Sequence, residues 1–343
     1  MAIRSVSILP RLGVFLFAVG LGWAWASAAL AGSEELRYFR IGTGTSSGTY
    51  FTVGGLIASA ITNPPGSRPC ERGGSCGVPG LIAVAQATSG GLENLELLRA
   101  GALEAALVQA NLAAWAYQGA EVYRNKPPFA DLRAVATLYT ETVQIVVRAN
   151  GPVQRIADLK GRKISVGEKG SAFAIDAAMV LGGLGIAGNS FTPVYLRPGA
   201  SVDELVEGRI DALFVVGGAP FSAVADAASR LPVRLLPITP KEAETLRARR
   251  PFLIGAVIAA DIYPGVPETA TVGVGAQLVV REGLDAELIA GVTRALWHPS
   301  TRHALELGFS RGVMTPLPTA QDASSLPLHP GAARAYEDLN TAQ

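Results

Sequence analysis

IGTGTSSGTYFTVGGLIASA, residues 41–60, joins three pieces of local structure. An extended run, 37–43, enters a turn of Gly, Ser and Thr at 42–49, and an amphipathic helix follows with Tyr50, Val53, Leu56, Ile57 and Ala60 on one side. Glycine lets such a turn adopt positive φ and lets backbones approach closely. The hydroxyls of Thr45, Ser46, Ser47 and Thr49 stand where the unpaired N–H groups of a helix start need acceptors. A helix start of this kind suits an anion.

Two other chemistries compete for the turn. Gly42-x-Gly44-x-x-x-Gly48 is one residue too long for the dinucleotide fingerprint, and no distinct strand-end acid stands about twenty residues on. Gly44-Thr-Ser46-Ser-Gly48 does match the nucleophile elbow of a serine hydrolase, with a later Asp and His in the required order. That elbow would fall on the first strand of the mature chain, with no earlier loop to complete an oxyanion hole. A tight strand-to-helix turn with an N-cap is common to every reading, and whether a ligand uses it is the open question.

The chain has 343 residues, 49% hydrophobic and 17% charged, enough for two ordinary domains. Its 39 glycines and 22 prolines at low charge indicate many short loops in an α/β protein rather than disorder. Residues 1–31 read as an export leader: Arg4 and Arg11 precede an apolar stretch at 12–25, and Ala29-Leu30-Ala31 offers small residues for cleavage, with Ala26-Ser27-Ala28 as an alternative. An uncleaved anchor is the rival, and either way the rest of the chain is expected in the periplasm. Without the leader, 27 Lys and Arg face 28 Asp and Glu, a balance that does not favour nucleic acid. Cys70 and Cys76 flank a small Gly-rich loop, where an oxidising compartment allows a disulfide with a local structural role. A metal site is the alternative, and two thiols with no His close in sequence make a poor one.

Beyond the Pro- and Gly-rich insertion at 63–80, the pattern predicts a strand at 81–87, a helix at 92–100 closed by Gly101, and a buried strand at 103–108 ending in Gln109, Ala110 and Asn111. A helix at 112–119 carries Trp115 and Tyr117, both read as packing residues. Two strands, 132–138 and 142–147, then lead into a second unit: a strand at 163–166, a Gly/Ser turn at 167–171, helices at 172–181 and 202–207, and a strand at 210–216 ending in Gly217-Gly218-Ala219-Pro220. The units echo each other, because residues 98–108 (LRAGALEAALV) align without gaps on residues 205–215 (LVEGRIDALFV). A return crossing near 255–272 completes a two-crossing hinge between two α/β lobes around a cleft, with the lobes at 32–145 plus 265–343 and at 146–264.

Ligands of open α/β sheets sit outside the carboxyl ends of the strands, where strand order changes. The loops expected there hold Gly, Ser, Thr, Asn and Gln, neutral donors suited to a carboxylate. Micromolar affinity needs about 8 kcal/mol, and four or five hydrogen bonds to a charged group, about 1.5 to 3 kcal/mol each, reach it after ordering costs. The expected ligand set is Thr45, Ser46, Ser47, Gly48, Thr49 and Tyr50, with Asn94, Gln109 and Tyr139, met from the second lobe by Gly170, Ser171, Gly217 and Gly218. Catalysis fits less well: His298, His303 and His329 all lie in the carboxyl-terminal segment, where surface or capping roles are expected. Glu93 is read as complementing its helix dipole. The reading is therefore of a binding protein with no enzymatic group, no cofactor and no metal.

IGTGTSSGTYFTVGGLIA, SGGLENLELLRAG running into EAALVQAN, DALFVVGGAP and PLHPGAARAYED together resemble the TAXI group of solute receptors for tripartite ATP-independent periplasmic (TRAP) transporters. The resemblance covers Glu34 to Leu339, and CERGGSCGVPGLIAVAQ is similar to a cysteine-bearing branch of that group. It implies a type II periplasmic-binding-protein fold. It also implies capture of a small organic anion, glutamate or a related dicarboxylate, and delivery to an ion-driven TRAP permease; the chain itself is expected to be a monomer. Two departures from the group bear on ligand identity: Thr45-Ser46-Ser47 replaces a Gly-rich turn, and Ala110-Asn111 follows Gln109 where Ser-Asp is usual. An exported serine hydrolase using Ser46 and a solute-sensing subunit of a signalling system are the alternatives.

Overall fold

The computed structural model describes residues 36–46, 48–308, 315–316, 320 and 326–341. The expected leader with its cleavage site near Ala31, and Ser47, lie outside them. β1 (Arg37–Gly42) leads into α1 (Thr49–Ile61), which buries Val53, Gly54, Ile57, Ala58 and Ile61. The insertion carries β2 (Thr62–Asn63), a 3-10 turn at Cys70–Arg72 and β3 (Val78–Pro79), and the Cys70–Cys76 disulfide closes its loop. β4 (Leu81–Gln86), α2 (Gly91–Arg99), β5 (Ala105–Gln109) and α3 (Ala110–Gln118) complete the first unit.

β6 (Leu132–Arg148) crosses to the second unit, which comprises β7 (Lys163–Ser165), α4 (Ala172–Gly183), β8 (Thr192–Val194), α5 (Pro198–Val206) and β9 (Ala212–Gly217). α6 (Ser222–Arg230), β10 (Val233–Leu235), α7 (Pro240–Arg249) and β11 (Leu253–Ile258) follow, and β12 (Thr269–Arg281) returns. α8 (Ala286–Trp297), α9 (Pro299–Gly308) and α10 (Pro330–Thr341) pack back against the first unit.

The described strands form one mixed sheet in the order β3-β2-β4-β1-β5-β12-β6-β9-β7-β8, with β11 added on β12 and β10 on β6. The eight strands from β4 to β8 in this order read alike from either end. β4, β1 and β5 are parallel and meet β12 antiparallel; β8, β7 and β9 are parallel and meet β6 antiparallel. β12 and β6 pair with each other over Gly273–Arg281 and Leu132–Thr142, so the two halves share backbone hydrogen bonds at their junction. Phe39, Ile41, Ile57, Leu107, Leu138 and Leu278 anchor the core of one half; Val147, Ile164, Val180, Phe214 and Leu236 anchor that of the other.

The sequence echo is a structural repeat. Gly101 (φ +73°) and Gly208 (φ +75°) end α2 and α5 in the left-handed conformation that glycine takes without strain. The bonds around them match: Gly101 N–H donates to Leu98 O and Gly208 N–H to Leu205 O, while Ala102 donates to Leu97 O and Arg209 to Glu204 O. The acid that follows does the same work twice, Glu104 accepting the Arg40 N–H at 2.7 Å and Asp211 the Lys163 N–H at 2.9 Å.

Two local expectations are corrected. β6 is one strand, not two: Tyr139, Thr140 and Glu141 stay extended because β12 pairs with the first part of β6 and β9 takes over from Thr142. The cap of α1 is Gly48, with no side-chain hydrogen bond, rather than one of the neighbouring hydroxyls.

Candidate functional site

The carboxyl ends of β5 and β9 point into the junction where strand order reverses, the position at which open α/β sheets bind ligands. Gln109 ends β5 and is 4% exposed, and Asn111, fully buried, opens α3. Tyr50 stands in the first turn of α1, and Tyr139 and Glu141 lie where β6 leaves one half for the other. From the second half, α4 brings Asp176.

These side chains meet. The Asn111 amide donates to Asp176 Oδ1 at 3.0 Å, and the Tyr50 hydroxyl donates to Glu141 Oε2 at 3.4 Å. The Gln109 amide hydrogen-bonds both carboxyls. Burial pushes Glu141 up to about 8, with the Asp176 charge adding to the rise and Gln109 and Tyr50 opposing it. Asp176 is pushed up to about 7, again by burial, against the hydrogen bonds from Gln109 and Asn111. Burial and then the Glu141 charge hold the Tyr50 and Tyr139 hydroxyls well above their ordinary range. Among the described residues no Lys or Arg figures in the environment of either acid. Among the described residues, Gln109 Oε1, Asn111 Oδ1 and Asp176 Oδ2 are buried acceptors without a hydrogen-bond donor, each a cost of about 1–3 kcal/mol.

The other expected site residues are distributed around this cluster. Thr45 and Ser46 are exposed, Gly48 and Thr49 half-buried. Gly170 is exposed, and Ser171 caps α4 by accepting from Ala174 N at 3.3 Å. Gly217 and Gly218 are buried; the Gly217 carbonyl accepts from Thr142 Oγ1 (3.2 Å) and Gln144 Nε2 (3.3 Å), and the Phe221 ring lies over the Gly217 backbone and meets Phe173 edge-on at 6.0 Å. Asn94 is not brought to the cluster. Its amide nitrogen donates to Thr43 O (2.6 Å) and Leu107 O (2.8 Å), and its oxygen accepts from Thr88 Oγ1 (2.8 Å), so it ties the first turn to β5.

Trp115 packs edge-on against Phe252 of the other half at 5.6 Å. Glu93 accepts from the Ser89 N–H and hydroxyl at the start of α2, and these bonds hold its carboxyl below the usual range. His298 Nδ1 pairs with Ser300 Oγ at 2.7 Å, His329 Nδ1 accepts from Gly331 N, and His303 is exposed. The fold also places His298 Nε2 3.7 Å from Cys70 Sγ, a neighbour that sequence proximity did not reveal. Sequence reasoning missed Glu141 and Asp176 as well. The available signal was a single acid in the apolar helix AFAIDAAMV and another between two apolar strand segments.

The chain belongs to the NMT1-like family, whose model matches residues 41–339. Among solved structures it is similar to a TctC solute-binding protein from Polaromonas, determined without ligand, at 16% identity over 89% of this chain and 98% of that one, with a TM-score of 0.50. It is also similar to the alkanesulfonate-binding protein SsuA from Xanthomonas axonopodis pv. citri bound to MOPS (17% identity, 88% and 84% covered, TM-score 0.47). A third is the periplasmic aliphatic sulphonate-binding protein SsuA from Escherichia coli (16% identity, 88% and 78% covered, TM-score 0.45). The fold is the two-lobe α/β fold of periplasmic binding proteins.

Proposed function

We propose that this protein is an exported, monomeric receptor of the TAXI type that captures a small carboxylate-bearing solute and delivers it to a TRAP-type permease. The observation that carries the reading is the meeting of Gln109 and Asn111 from one half with Asp176 from the other, at the strand ends where the sheet changes direction. A solute lodged there touches both halves, and such a solute favours the closed arrangement by the difference in its contacts between open and closed forms. The lobes would run over 32–145 with 265–343, and over 146–264; one core draws only on the first of these, while the other adds Ala110, Val143, Ile145, Val272 and Val274 to residues of the second.

In this reading Thr45, Ser46, Ser47, Gly48, Thr49 and Tyr50 hold a carboxylate at the start of α1, beside Gln109 and Tyr139, with Gly170, Ser171, Gly217 and Gly218 facing them. Asn94 acts one step back, by fixing the turn. Glutamate and related dicarboxylates are the first candidates. The test is native mass spectrometry of the purified mature chain, followed by thermal melting against organic acids and amino acids. A true ligand at a hundred times its Kd adds about 2.7 kcal/mol of stability. A panel in which no carboxylate shifts the melting temperature, on a protein carrying no bound small molecule, would overturn the reading.

A further inference from the structure

The polar cluster between the halves has an imbalance of sign. Glu141 and Asp176 are 4% and 2% exposed, and the side chains that touch them, Gln109, Asn111 and Tyr50, are neutral. Three oxygens in this one cluster, Gln109 Oε1, Asn111 Oδ1 and Asp176 Oδ2, have no donor among the described residues. The Asn111 nitrogen donates to Asp176 Oδ1 at 3.0 Å, and Gln109 stands beside both acids and favours their charged forms, which leaves the two amide oxygens without donors among the described residues. When the two carboxyls are ionised, what the cluster lacks is hydrogen-bond donors and positive charge. A carboxylate, which only accepts, satisfies none of the three oxygens and meets two acids; an ammonium brings three N–H donors and the opposite charge.

We infer that Glu141 and Asp176, with Gln109 and Asn111, read a positively charged nitrogen on the ligand, so that the solute is an amine-bearing organic acid rather than a plain dicarboxylate. The inference rests on the proposed receptor function for the carboxylate end, which the first turn would hold, and it assigns the opposite end to the buried acids. The pair thereby becomes the element that sets specificity. Its raised protonation range fits this role, since an uncompensated pair holds its protons and an arriving cation allows it to release them.

Matched ligands test the idea on the intact mature chain. L-Glutamate and glutarate share one skeleton and differ by the ammonium group, as do L-aspartate and succinate, and putrescine carries the amine without a carboxylate. Calorimetry should give the amino member of at least one pair a Kd at least tenfold tighter than its deaminated partner. In Glu141→Gln and Asp176→Asn that ratio should collapse towards one, with melting curves of the unliganded variants confirming that they fold. Equal or tighter binding of glutarate and succinate in the native chain would overturn the inference while leaving the carboxylate receptor standing. A persistent ratio in both variants would overturn it also. Binding of putrescine alone would uphold the reading of charge at the pair and remove the carboxylate from the proposed function, and no response to any of the five compounds would overturn both.

Discussion

Asn111 and Asp176 are 65 residues apart in the chain and 3.0 Å apart in space, one opening the helix after β5 and the other buried within α4. This bond joins the two halves by side chains at the place where β6 and β12 join them by backbone. Deleting its donor leaves an acid with fewer partners in a dry site, which costs about 1–3 kcal/mol. Asn111→Ala should lower the unfolding free energy by that amount, read from urea denaturation with an unchanged m-value; a loss below about 0.5 kcal/mol would mean that water replaces the amide.

The two buried acids also set the pH response. Their folded values, about 8 and about 7, lie above those of carboxyls in an unfolded chain. Between about pH 4 and pH 8 the folded protein therefore binds more protons than the unfolded one, so stability falls as pH rises through this window and levels off above it. The Tyr50 and Tyr139 hydroxyls that face Glu141 stay neutral throughout. His329, whose burial lowers its value, contributes the opposite slope at its acidic end. The difference between native chain and the Glu141→Gln, Asp176→Asn double variant removes that background, and it should narrow or reverse in favour of the variant from pH 5 to pH 8 in melting experiments.

Proton linkage gives a second reading of the same chemistry. A cationic ligand that ionises the pair expels protons, so calorimetric enthalpies at pH 6.5 measured in buffers of different ionisation enthalpy should differ in proportion to that enthalpy. Identical enthalpies across buffers would show that the pair keeps its protonation state on binding.

Gly42 ends β1 against Asn94 of α2 and Leu103, which precedes β5. A Cβ there would come 2.5 Å from Leu103 Cδ1 and 2.7 Å from Asn94 Oδ1. Gly42→Ala must push aside an asparagine already bonded to two carbonyls, and it should cost about 1–3 kcal/mol. The loss should appear in ligand affinity as well as in melting temperature, because the first turn moves with Asn94.

The disulfide is remote from this machinery. It closes a six-residue separation in the insertion, and chain-entropy reasoning assigns a loop of that size about 2 kcal/mol. Cys70→Ser with Cys76→Ser should lower stability by up to that figure without altering the Kd of a ligand; a change in affinity would place the insertion in communication with the cleft.

How much of this was legible beforehand depended on periodicity. The strand, Gly/Ser turn and helix at 37–61 and the matched stretches ending in Val108 and Val215 were readable because apolar spacing and glycine stops are local signals. Glu141 was not, because a polar triplet inside an apolar run looks like a break, and only two different partner strands keep it extended. Asp176 was hidden for the converse reason: one acid on a helix usually faces water, and here Gln109 and Asn111 of the other half stand against it. His298 beside Cys70 is a contact between positions 228 apart in the chain, with no local signal.

The symmetric strand order has a mechanical consequence. Because β6 and β12 run through the junction as continuous backbone, bonded to each other over most of their shared length, no slack tether separates the halves. A rocking of the halves against each other would therefore act on this pair of ribbons as a change of twist. Closure of the proposed cleft on a solute would then have to twist this hydrogen-bonded ladder, which resists the change.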